Sequence, residues 1–105
     1  MKEIGIKIIN EILKTKGIKV SKIILFGSRA RKDFNKDSDW DFLVVIDKDL
    51  SFNEKHQIII EIQRKLAKLK IPNDIIIKSE EKFNIMKEYP GNISFYADKE
   101  GIVVV

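Results

Sequence analysis

Residues 22–46 read KIILFGSRARKDFNKDSDWDFLVVI, and the order of their parts decides the fold. Lys22 to Phe26 is an apolar run ending in glycine and reads as a buried strand; Phe42 to Ile46 is a second such run. Between them, Gly27-Ser28 forms a small polar turn followed by Arg29 and Arg31, and Asp39-Trp40-Asp41 opens the second run. Side chains at i and i+2 of a strand share a face, so Asp39 and Asp41 should project together while Trp40 points away. Two carboxylates held side by side at neutral pH repel, and a divalent cation relieves the repulsion. A donor set of oxygens alone suits Mg²⁺ or Mn²⁺.

Working outward, residues 2–16 carry Ile4, Ile8 and Ile12 at helical spacing, widened by Ile9 and Leu13, with Gly17 as a stop. Ser51-Phe52-Asn53-Glu54 has the form of a capping box, so a helix is expected from Phe52 to about Lys70. Its buried face should be Ile58, Ile59, Ile62, Leu66 and Leu69. Pro72-Asn73 breaks the chain, and Asp74-Ile75-Ile76-Ile77 reads as a third strand. A short helix follows Ser79, Asn92 caps another through Lys99, and Ile102 to Val105 closes as a strand.

Composition bounds the function. A chain of 105 residues supports one modest core, so one domain over residues 1–105 is expected. The absence of cysteine excludes a disulfide framework, a zinc–thiolate site and a thiol nucleophile. No apolar run approaches the roughly 20 residues that cross a bilayer, and no signal-peptide pattern opens the chain, so a cytoplasmic location without membrane attachment is expected. A net charge of +4 suits a polyphosphate ligand or an acidic partner. Basic and aromatic residues are not interleaved in an RNA-binding pattern, so nucleic acid is not expected as a direct ligand.

Gly-Ser followed by a D-x-D strand resembles the polymerase-β-like nucleotidyltransferase superfamily. The form GSRAR…SDWDF is most similar to the minimal nucleotidyltransferases, the MNT antitoxins of HEPN/MNT toxin–antitoxin pairs. Their pattern is G-S-R-A-R-G, a variable loop, then S-D-x-D. Gly27, Ser28, Arg29, Ala30, Arg31, Ser38, Asp39 and Asp41 match it, Lys32 stands where the family has glycine, and the likeness extends to Glu100-Gly101-Ile102-Val103. The resemblance implies an α/β (α+β) fold, a small mixed sheet packed by helices. It implies a catalytic and metal-binding triad of Asp39, Asp41 and Asp74 holding Mg²⁺ (two ions, with Mn²⁺ as a substitute). It also implies that ATP or another nucleoside triphosphate binds through Gly27, Ser28, Arg29 and Arg31. The implied reaction moves AMP, or another nucleoside monophosphate, onto a hydroxyl; the implied acceptor is a tyrosine of a cognate HEPN toxin.

Each assignment has a plainer reading beside it. Asp74 also fits a Pro-Asn-Asp turn, Asp39 and Asp41 a solvated loop, and Gly27-Ser28 an ordinary strand-to-helix turn. Gly27-Ser28 is not a Walker A loop, because no G-K-[ST] follows. Arg29, Arg31 and Lys32 cannot all face one ligand. Ser38 is suited to holding the loop by bonding backbone. His56, the only histidine, belongs on a helix surface; Lys65, Lys68 and Lys70 belong to an exposed helix face; Trp40, Tyr89 and Tyr96 read as packing residues. Two other functions compete: a small-molecule transferase like the aminoglycoside-modifying enzymes, which carry a further helical domain, and a noncatalytic antitoxin that neutralises its partner by occlusion.

Overall fold

The computed structural model describes residues 1–105. The chain runs α1 (Lys2–Thr15), β1 (Val20–Phe26), α2 (Ser28–Arg31), β2 (Trp40–Ile46), α3 (Phe52–Lys68), β3 (Asn73–Ser79), α4 (Glu80–Met86), α5 (Ile93–Glu100) and β4 (Ile102–Val103). The four strands form one mixed sheet in the order β3-β2-β1-β4. β1 lies antiparallel to β2 and β4, whereas β2 and β3 are parallel and joined across α3. This is the expected α/β class.

The unbroken apolar runs are explained by burial on both sheet faces. Ile23, Leu25, Phe42, Val44, Ile46, Ile75 and Ile77 pack with residues of α1 and α3. Ile24, Phe26, Leu43 and Val45 pack on the other face with Phe83 of α4 and Ala97 of α5. Helix ends follow local chemistry. Ser51 Oγ accepts from Glu54 N–H at 3.2 Å while Ser51 N–H donates to Glu54 Oε1 at 3.3 Å, completing the capping box. Ser79 and Asn92 cap α4 and α5. Gly17, at φ +69°, ends α1.

Three expectations shift. The buried stripe of α1 is Gly5, Ile9, Ile12 and Leu13, so Ile4 is exposed and Ile8 only half-buried. The cause is Gly5: a Cβ there would stand 3.0 Å from Phe42 Cε2, so the bare backbone seats the helix on that ring. On α3, Leu69 is exposed because the helix ends at Lys68 and Leu69 serves as its C-cap. β4 is bounded at Ile102–Val103, shorter than expected, although Val104 N–H still donates to the Ile23 carbonyl at 2.8 Å and the Val105 carbonyl accepts from Ile23 N–H at 3.4 Å. No helix is long and apolar enough to cross a membrane.

Candidate active site

Strand parity places the carboxylates. Asp39 and Asp41 fall in step with Leu43 and Val45, hence on the sheet face covered further along by α4 and α5. On β3, Asp74 falls in step with Ile76, which packs on that same face. Because β2 and β3 run parallel in the register Asp41↔Asp74, both residues sit at the start of their strands. The partner of Asp41 on the other side is Phe26, the last residue of β1, so Gly27 turns away directly beside it. Trp40 faces the opposite way and packs against the α1/α3 core.

Gly27 is held at φ +73°, and a Cβ there would collide with Oδ2 of Asp41. The position therefore requires glycine for both conformation and space. Burial pushes the Asp41 carboxyl up to about 6 from 3.8; the neighbouring charges of Asp74 and then Asp39 push the same way, and Arg31 opposes them. This is the electrostatic signature of a half-buried carboxylate crowded by two others that one nearby guanidinium only partly offsets. Asp39 and Asp74 are exposed, and the three side chains are not gathered into a closed three-donor cluster. Their oxygen chemistry, the mutual repulsion at Asp41 and the rotamer freedom of the two exposed partners fit a hard divalent cation that draws them together.

The basic residues divide. Arg31 pairs with Asp33 at 3.3 Å and Glu100 at 4.0 Å and still acts on Asp41. Arg29, one of the residues expected on a phosphate, directs its guanidinium into the loop before β2, donating to backbone carbonyls there. That role was invisible in the sequence because Phe34 and Trp40, which flank the guanidinium, meet only when the loop folds back. Ser38 Oγ accepts from Asn35 N–H at 3.0 Å, the backbone-holding role expected of it. Lys32 adopts φ 67° and ψ 23°, the left-handed conformation that glycine favours. A shallow groove of about 460 Å³, lined by Phe26, Gly27, Arg31, Ile93, Tyr96 and Glu100, opens beside the turn. His56 stays on the surface, stacked on Phe52.

Comparison with known proteins bears on the family and the fold. The family model described as polymerase beta, nucleotidyltransferase matches residues 7–104. A Methanocaldococcus jannaschii protein named "Putative protein adenylyltransferase" is 40% identical over 67 residues, which make up 63% of this chain and 61% of that protein. The match thus spans about three fifths of that relative's length. Among solved structures, a toxin-antitoxin with AMP-PNP superposes with a TM-score of 0.61 at 17% identity, over 94% of this chain and 71% of that one. A mutant of the toxin-antitoxin MntA-HpeT gives 0.58 at 15% identity, over 92% and 69%. At such identities these two structures speak to the fold.

Proposed function

The chain belongs to the polymerase-beta nucleotidyltransferase family, and on that premise we propose that it transfers AMP from ATP to a tyrosine hydroxyl of a cognate HEPN toxin, acting as its antitoxin. The carrying observation is the register that sets Asp41 opposite Asp74 and beside the glycine turn at Gly27, with Asp39 two residues before Asp41 on the same strand parity. The name of the archaeal relative and the toxin-antitoxin assemblies of similar fold support adenylyl transfer and a toxin partner.

In this reading Asp39, Asp41 and Asp74 hold Mg²⁺. When bound, the metal offsets the negative charge that builds on the phosphate oxygens as bonds exchange. Gly27 lets the backbone approach the β- and γ-phosphates, and the N–H groups opening α2, together with the Ser28 hydroxyl, donate to their oxygens. Arg31 lies near enough to Asp41 to add positive charge at the same rim. The acceptor oxygen bonds to the α-phosphorus as the bond to the β-phosphate breaks and pyrophosphate departs. Asp74, at the outer strand, takes the hydroxyl proton.

The test is co-expression with the protein encoded alongside, followed by intact mass and peptide mapping. A complex and a gain of AMP units on the neighbour's tyrosines, lost with Asp74→Asn by about 10²-fold or more at an unchanged melting temperature, supports the reading. A complex without modification would mean neutralisation by occlusion. Transfer only to small molecules would point to the antibiotic-modifying class.

A further inference from the structure

Arg29 occupies a position that phosphate binding does not explain. Its guanidinium lies 4.1 Å from the Trp40 ring centroid and 4.7 Å from that of Phe34. Nε and Nη2 donate to the Ser38 carbonyl at 3.3 and 3.1 Å, and Nη2 reaches the carbonyls of Asn35 and Lys36 at 3.4 Å each. One cation thus gathers three carbonyls of a single loop and two aromatic rings. We propose that Arg29 is a positioning residue: by clamping the loop over residues 34–38 and the Trp40 ring, it sets where Asp39 and Asp41 stand.

The placement argues for this. Ser38, which takes the shortest of these bonds, immediately precedes Asp39, and Trp40 lies between Asp39 and Asp41. Both flanks of Asp39 are thereby fixed to one side chain. Crowded carboxylates on an untied loop would swing apart into water; the clamp resists that. Arg29 also directly follows Ser28 on α2, so the segment proposed to cradle phosphate is tied to the segment carrying the carboxylates. The loop's own bonds, such as Asp37 N–H to Asn35 Oδ1 at 2.8 Å, shape it without reaching α2. Only a guanidinium can present a stacking plane and an edge of several N–H donors together; a lysine ammonium keeps the charge and loses both.

The inference rests on the nucleotide-site reading given above, and its test separates the two. Trp40 is the chain's only tryptophan, so its emission reports on the clamp directly. Mn²⁺ with ATP is titrated into the intact protein and into Arg29→Lys, Arg29→Met, Phe34→Tyr and Phe34→Leu, with Trp40 emission and calorimetry as readouts. Both Arg29 variants are expected to red-shift metal-free emission and to weaken Mn²⁺·ATP binding equally, by about tenfold or more, with excess Mn²⁺ restoring it. Phe34→Tyr should behave as the parent, and Phe34→Leu should weaken binding in the same direction. Binding preserved in Arg29→Lys but lost in Arg29→Met would overturn the clamp in favour of a charge contact with phosphate. Parental binding in both would overturn it outright. If Arg29→Met fails to fold, Phe34→Leu decides, because Phe34 is 46% exposed and lies outside both core clusters. A parent protein that binds no Mn²⁺·ATP would overturn the nucleotide-site reading itself.

Discussion

At the scale of the residue, Asp41 is held against the interests of folding. Burial, Asp74 and Asp39 raise its carboxyl to about 6, above the ordinary 3.8. A group whose folded value exceeds its unfolded one binds its proton more tightly in the native state, so stability from this group is present at low pH and is lost as pH rises through that window. Without divalent cation, Asp41→Asn should therefore melt above the parent near neutral pH, and the gap should narrow as pH falls below about 6 and close only below about 3.8 in paired thermal melts. Protons and cations compete for the same oxygens, so Mg²⁺ affinity should fall as pH drops below about 6. Lys32 offers a second check. A side chain in the left-handed region costs about 1–2 kcal/mol, and glycine returns roughly half of that through unfolded-state entropy. Lys32→Gly is expected to stabilise by up to about 1 kcal/mol, read as a higher urea midpoint at constant slope.

At the scale of the element, legibility tracked how local the deciding physics is. β2 was readable to its ends because both faces are buried, giving an unbroken apolar run behind Asp39-Trp40-Asp41. The start of α3 was readable because Ser51 and Glu54 satisfy each other's backbone within one turn. Ser51→Ala should cost about 1 kcal/mol in chemical denaturation, with the sheet unchanged by circular dichroism. The face of α1 was readable at Ile9, Ile12 and Leu13 but not at Ile4 and Ile8, where Gly5 meets Phe42, a contact between residues far apart in sequence. β1 begins earlier than its apolar run because a register shift between Val20 and Lys22 lets the half-buried end pair with Ile46. The use of Arg29 was hidden for the same reason as the face of α1: its rings belong to a loop and to the strand after it.

At the scale of the whole molecule, the site lies where three strand ends meet. The close of β1 and the starts of β2 and β3 share one edge, and the pairings Phe26↔Asp41 and Asp41↔Asp74 bring the turn and the carboxylates together. The sequence contained Asp39, Asp41 and Gly27 as a pattern, whereas Asp74 read by its neighbours alone as a turn residue and by the family resemblance as a site residue; the parallel register sets it opposite Asp41. Asp39 and Asp74 leave the rim of this edge exposed. All of this depends on the three carboxylates acting as one cation-dependent nucleotide site. Calorimetry of Mg²⁺·ATP binding to the parent and to the Asp39→Asn, Asp41→Asn double variant tests it most directly. The account predicts binding by the parent and loss of binding in a variant that folds and melts no lower than the parent. Unchanged affinity in the double variant would contradict it.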